Sequence, residues 1–211
     1  MVERGEVAPG TAIAVGRDEV QIGRSQGRLL IFDDPCLAPL HASFVLRGGA
    51  LFVRDEGAAG GVFVRLRGLT VPLRPGALFA VGDWLLRFGG PLSPPSPSAP
   101  DGTRRLGTPR PDQPSVTIDE WLEGGLPGRS YVRSGTSITI GRTGCAVNLG
   151  HDPHLSQAHA EVQLEPDGSA RLRDLGSASG TFVRIAPGSE RALHDGDGVR
   201  LGREVLRVEL G

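Results

Sequence analysis

Three short stretches in the second half of the chain bring together side chains with a shared chemistry. They are Ile140-Gly141-Arg142, Leu155-Ser156-Gln157-Ala158-His159-Ala160 and Asp174-Leu175-Gly176-Ser177-Ala178-Ser179-Gly180-Thr181-Phe182. Together they supply an arginine fork, several hydroxyls, a histidine and a glycine-bounded loop whose amides a ligand can approach closely. Such groups hold a phosphate. They are poorly suited to breaking a bond. Gly176-Ser177-Ala178-Ser179-Gly180 has alanine at the central place of what would be a nucleophile elbow. Ser156 and His159 are near in sequence, which does not make them a nucleophile and its base. A non-catalytic holding site is expected.

Cys145, His151, His154 and His159 raise the question of a metal. Their Cys-x5-His-x2-His-x4-His spacing matches none of the common structural zinc patterns. No metal and no cofactor are expected, and His151 and His154 are read as exposed loop histidines. Cys36 and Cys145 lie in different halves, so a disulfide framework is not indicated.

Composition narrows the classes further. The 23 basic residues among 211 are all arginines, which excludes chemistry that needs a lysine, such as a Walker site or a Schiff base. It also means that any phosphate held by a side-chain cation meets a planar guanidinium with two parallel donors. The formal net charge of −1 gives no bulk field for nucleic acid or an anionic membrane. No apolar run approaches the roughly 20 residues needed to span a bilayer, and Met1–Thr11 lacks a signal-peptide core. A soluble cytoplasmic protein is the expectation.

The elements that must position the candidate site read as strands. Ala50–Arg54, Gly61–Leu66 and Trp84–Phe88 are apolar runs between turn signals, spaced near ten residues apart, the rhythm of a sandwich or barrel. Ala160, Val162 and Leu164 alternate with Glu161, Gln163 and Glu165, as a half-buried strand requires. Leu206, Val208 and Leu210 alternate likewise with Arg207 and Glu209. The one short helical candidate is Ile118–Glu123. Between Pro91 and Ser115 stand eight prolines and almost no apolar residues, a composition that forms an extended linker and no core. Its Ser93, Ser96, Ser98, Thr103 and Thr108 are potential phosphorylation sites, although exposed linker hydroxyls are usually only solvated.

The two halves are copies. Ile22-Gly23-Arg24 matches Ile140-Gly141-Arg142 at an offset of 118, and Asp34-Pro35 and His41-Ala42 match Asp152-Pro153 and His159-Ala160 at the same offset. After one inserted residue Asp55 pairs with Asp174, Gly61 with Gly180 and Phe63-Val64-Arg65 with Phe182-Val183-Arg184. Gly82 pairs with Gly202 after one more. The expected architecture is all-β, with domains at 1–90 and 116–211 joined by a linker at 91–115.

Gly-Arg, then Ser-x-x-His, then Asp-Leu-Gly-Ser-x-x-Gly-Thr-Phe-Val resembles the forkhead-associated (FHA) domain over roughly residues 11–89 and 129–210. The resemblance implies two β-sandwiches of about eleven strands that bind phosphothreonine peptides through loops at one end. It implies that Arg142 contacts the phosphate, that Ser156 donates a hydroxyl to it, and that His159 braces the loops. Gly141 becomes a turn glycine, and Asp174 and Gly180 belong to the structural motif with Gly23 and His41. Gln157, Ser177 and Ser179 join the expected peptide contacts. The family usually has asparagine where Ser179 stands, and often a hydroxyl where Ala178 stands.

The first repeat departs further. Arg24 and His41 persist, but Ala38 replaces the serine and Pro39 follows it. The second loop reads Asp55-Glu56-Gly57-Ala58-Ala59-Gly60-Gly61-Val62, without a hydroxyl. A charge-assisted hydrogen bond contributes about 1.5–3 kcal/mol, so losing two weakens binding by roughly 10²- to 10⁴-fold. The first domain is therefore expected to serve as a phosphate-independent contact surface. The whole is expected to be an adaptor whose partner is a phosphothreonine protein, the substrate of a serine/threonine kinase or the kinase itself. A phosphorylation-independent scaffold using both domains is the alternative, and a hydrolase or metalloenzyme is remote from both.

Overall fold

Strands form where apolar residues alternate with polar ones and where short apolar runs stand between turns. The computed structural model describes residues 1–16, 19–68, 70–92, 98–109, 111–165 and 167–210, and among these there is no helix. None is therefore long and apolar enough to cross a membrane. In chain order the first half gives β1 (Val2–Arg4), β2 (Val20–Gly23), β3 (Leu29–Leu30), β4 (Ala42–Arg47) and β5 (Ala50–Asp55). It continues through β6 (Val62–Arg65), β7 (Val71–Leu73), β8 (Leu78–Val81) and β9 (Trp84–Pro91). Next come β10 (Ser115–Leu122), β11 (Leu126–Ser134), β12 (Ser137–Gly141), β13 (Val147–Asn148), β14 (Ala160–Leu164) and β15 (Ala170–Asp174). The chain closes with β16 (Thr181–Arg184), β17 (Glu190–Leu193), β18 (Gly198–Leu201) and β19 (Glu204–Arg207).

The compact units do not follow the repeat boundary. One consists of Met1–Arg67 with Phe182–Gly211, the other of Gly68–Thr181. In the first unit, one sheet runs β17-β5-β4-β2-β3, with Leu193 opposite Leu51 and Phe44 opposite Val53. The facing sheet takes β6 and β1 from the first repeat and β16, β18 and β19 from the second, pairing Val199 with Val64 and Val2 with Leu206. Val20, Ile22, Phe44, Val53, Val62, Val199, Leu201 and Leu206 form its buried core. Burial of such side chains is worth about 1.5–3 kcal/mol each.

In the second unit β13-β12-β14-β15 is completed by β7 of the first repeat, with Leu73 opposite Ala170. β8, β9, β10 and β11 follow one another as antiparallel neighbours. The expected division at residues 90 and 116 thus differs from the units observed. The physical reason lies in the duplication. β7 and β17 occupy equivalent places in the two repeats, so each can complete the other's sheet with the same backbone hydrogen bonds, as in a domain swap.

The expected helix at Ile118–Glu123 is a strand. Val116, Thr117 and Ile118 are β-branched, and β10 pairs with β9 on one side and β11 on the other. A register shift between Asp119 and Trp121 interrupts the alternation. The two acidic residues there are buried and satisfied. Asp119 accepts from Ser130 Oγ at 2.5 Å and from Arg87 Nη2 at 2.8 Å, and Glu120 accepts the Tyr131 hydroxyl at 2.7 Å. The Trp121 ring lies 4.6 Å beneath the Arg87 guanidinium.

Within the proline-rich segment, Ser93 and Ser96 lie outside the described residues. Ser98 forms an isolated antiparallel bridge with Arg104.

Candidate functional site

β12 delivers Arg142 to one end of the second unit. The Arg142 N–H donates to Ser156 O at 3.0 Å, which holds the first two loops side by side. Gly141 must be glycine here, because a Cβ would stand 2.2 Å from Gln157 O and 3.0 Å from Cys145 Sγ. The Arg142 guanidinium is exposed and makes no hydrogen bond or ion pair among the described residues.

Ser156 sits half-buried opposite the third loop. Its Oγ accepts the Ala178 N–H at 3.1 Å, which leaves the hydroxyl proton free for an incoming acceptor. His159 is fully buried beneath these loops. Its Nδ1 accepts the Ser156 N–H at 3.1 Å, so Nε2 bears the proton and donates to Gly180 O at 3.1 Å. The imidazole is a strut between loops. His41 repeats this geometry in the first unit, accepting from Ala38 N at 3.1 Å and donating to Gly61 O at 3.0 Å.

Asp174 organises the glycine-bounded loop. One of its oxygens accepts the N–H groups of Gly176 and Ser177, each at 2.9 Å. The other accepts the hydroxyls of Ser177 at 2.7 Å and Thr181 at 2.6 Å. Burial pushes its carboxyl up. The donors from Ser177, Thr181 and Gly176 outweigh that, and its pKa ends below the usual carboxylate value.

Two of the expected side-chain contacts, Ser177 and Ser179, are engaged elsewhere. The Ser177 hydroxyl is buried, donates to Asp174 and accepts Gly180 N–H at 3.0 Å, so it holds the loop and does not face solvent. Ser179 Oγ donates to His154 O at 2.6 Å, which commits its only proton and keeps its lone pairs. The Gln157 side chain is exposed, while the backbone carbonyl of Gln157 accepts the Cys145 thiol at 3.3 Å. The geometry brings together Arg142, Ser156, the Ala178 amide and Ser179, and sets Ser177 below them.

Two contributors were missed in the sequence. The His154 carbonyl anchors Ser179, and the Ala178 amide anchors Ser156. Both act through the backbone, for which a residue's type gives no signal. Of the histidine and cysteine cluster, His159 has both ring nitrogens engaged, and Cys145 bonds backbone carbonyls.

In the first unit the same loop end is altered. Arg24 N–H donates to Ala38 O at 2.8 Å, and the Arg24 guanidinium is exposed without a partner among the described residues. No hydroxyl stands at Ala38. A Cβ on Gly60 would lie 2.6 Å from Cys36 O, so the chain has closed over the space that a side chain occupies at Ser179. Glu56, where the second repeat has Leu175, is tied to Arg54 at 2.7 Å and to the Ser43 hydroxyl.

The strands and loop ends recur in the two all-β units, and comparison with known proteins gives the family to which such a duplicated chain belongs. The chain belongs to the FHA domain family, whose model matches residues 20–82 and 138–202, more than half of its length. It is 41% identical over 98 residues to the FHA domain-containing protein FhaA of Mycobacterium tuberculosis, covering 46% of this chain and 18% of FhaA. Thus the chain spans less than a fifth of that relative. Among solved structures, one from work on phosphothreonine-dependent FHA domain interactions is 37% identical. It covers 46% of this chain and 97% of its own, with a TM-score of 0.29. Mycobacterium tuberculosis EmbR in complex with a low-affinity phosphopeptide is 22% identical over 53% of this chain and 26% of EmbR, with a TM-score of 0.27.

Proposed function

We propose that this chain is a non-catalytic adaptor that reads phosphothreonine through Arg142 and Ser156 of the second repeat. The first repeat serves as a phosphate-independent contact surface. The observation behind this reading is the adjacency of two uncommitted donors, the exposed Arg142 guanidinium and the free hydroxyl proton of Ser156, on loops locked by His159. A phosphothreonine offers roughly −1.5 to −2 charge and three acceptor oxygens, which such donors match. The partner is a phosphorylated cytoplasmic protein, a serine/threonine kinase or its substrate.

The test is titration of the full chain with phosphothreonine peptides against phosphoserine and unphosphorylated controls. Binding that requires the phosphate and is lost in Arg142→Ala supports the reading; phosphate-independent binding, or an indifferent Arg142→Ala, refutes it. A scaffold that ignores phosphorylation is the second reading. It is favoured by Ala178, which offers no side-chain donor, and by Ser179, whose proton is taken by His154 O.

A further inference from the structure

The loop end of the first repeat presents a chemistry of its own. β2 and β3 run parallel, Ile22 opposite Leu29 and Gly23 opposite Leu30, so both strands leave in the same direction. Arg24 and Phe32 therefore emerge at one end of the unit. Ile31 N–H donates to Gly23 O at 3.0 Å and Arg24 N–H to Ala38 O at 2.8 Å, which fastens the two loops together. His41 ties both to the third loop through Gly61 O.

What these loops show to solvent is apolar and positive. Phe32 is 67% exposed and Leu30, at the end of β3 two residues before it, 37%. Arg24 and Arg28 are exposed, and neither guanidinium has a hydrogen bond or ion pair among the described residues. The carboxylates nearby do not balance them. Asp34 is buried and accepts the N–H groups of Cys36 at 2.8 Å and Arg203 at 2.7 Å. Glu56 is held by Arg54 and Ser43. Asp33 alone is exposed in the same loop.

We infer that this end binds an extended, unphosphorylated peptide segment in which an Asp or Glu side chain lies beside an apolar one. Arg24 takes the carboxylate, whose two coplanar oxygens match the guanidinium fork. A phosphate would present a third oxygen, for which Ala38, Gly60 and Val62 provide no side-chain donor. Phe32 covers the apolar neighbour with a ring whose area is already largely in solvent. Arg28 supplies the remaining charge complementarity. This inference deepens the reading of the first repeat as a phosphate-independent surface and is independent of the second repeat.

The experiment uses the full chain and an array of unphosphorylated peptides with Asp or Glu beside Leu, Ile, Val or Phe, with amide and alanine counterparts. Hits are then titrated in solution. The expected result is a set of peptides whose affinity falls about tenfold or more with Arg24→Ala, with Phe32→Ala and with the carboxylate-to-amide peptide, and does not change with Arg142→Ala. Arg24→Gln, which keeps a polar surface, should reproduce the Arg24→Ala loss, with thermal unfolding unchanged in each variant. No hit that depends on both Arg24 and Phe32 overturns the inference. So does tighter, Arg24-dependent binding of phosphothreonine in place of the carboxylate. Failure of the second-repeat reading appears separately, as phosphothreonine binding indifferent to Arg142→Ala.

Discussion

Asp152 Oδ2 accepts the backbone N–H of Asp83 at 2.7 Å, joining a carboxylate of the second repeat to a hairpin turn of the first. The reciprocal bond exists in the other unit, where Asp34 Oδ2 accepts the N–H of Arg203 at 2.7 Å. Each turn is led by a glycine of positive φ, Gly82 at 59° and Gly202 at 55°. A Cβ there would approach the capping carboxylate within 2.4 and 2.3 Å. Gly82→Ala and Gly202→Ala should therefore destabilise by about 1–3 kcal/mol or more each, through backbone strain and overpacking together. Amide exchange should locate the loss of protection in Gly68–Thr181 for Gly82→Ala and in the other unit for Gly202→Ala.

The same exchange makes a prediction about cleavage. A cut between residues 99 and 106 severs the chain, yet Leu73 remains paired with Ala170, Phe88 with Ile118 and Leu193 with Leu51. The two fragments should stay together as one species in native mass spectrometry and in gel filtration. Two freely separating sandwiches after the cut would show that each repeat folds on its own strands. By the same reasoning a fragment of residues 116–211 lacks β7, β8 and β9, so its failure to bind peptides would not count against the second repeat.

On the proposed reading, Arg142→Ala and Ser156→Ala would each remove one charge-assisted bond to a phosphate. Each should weaken phosphothreonine binding by roughly 10- to 150-fold, the equivalent of about 1.5–3 kcal/mol. Ser177→Ala should act differently. It leaves Gly180 N–H without its acceptor and Asp174 with one donor fewer, so it should loosen the loop in amide exchange and lower thermal stability. Calorimetric titration beside unfolding curves separates the two kinds of loss.

Much of this was legible in the residues themselves. Ala160, Val162 and Leu164 alternate in the sequence and are buried in β14, and the Gly-Arg pairs end β2 and β12 as their neighbours require. The exchange was not legible, because Asp34-Pro35 and Asp152-Pro153 are alike and either can cap either turn. Ile118–Glu123 looked helical because a shifted register hides its alternation. Ser177 and Ser179 are indistinguishable by type. Only the path of the loop sends one hydroxyl inward to Asp174 and the other to His154 O.

Low pH should disturb the second-repeat loop through Asp174. Its carboxyl titrates below the ordinary carboxylate value because four donors favour the charged form over the cost of burial. With the folded pKa depressed, its stabilisation is complete above the unfolded value of about 4. It is lost as pH falls through the folded value. Asp174→Asn should remove that acid-dependent step and lower stability at neutral pH, since an amide oxygen accepts less strongly and its NH₂ faces donors. Acid unfolding followed at loop amides would check both.

His41 sets the corresponding prediction for the first unit. Burial pushes its imidazole below the usual value, and Arg184 adds to this, while Gly61 O, Asp55 and Asp34 act the other way. Its stabilisation is therefore complete above about pH 6.5 and lost as pH falls from there toward the folded value. The charged form would also need a proton on Nδ1, where Ala38 N–H now donates. His41→Gln should abolish this pH-dependent loss while lowering stability at neutral pH. Replacing Ala38 by Ser and Gly60 by Asn together should not create phosphate binding. The Gly60 side chain would strike Cys36 O, so the double variant should unfold more readily and remain unable to bind phosphothreonine peptides in calorimetry. Acquired phosphopeptide affinity would show that side chains, and not the closed backbone, account for the loss at this end.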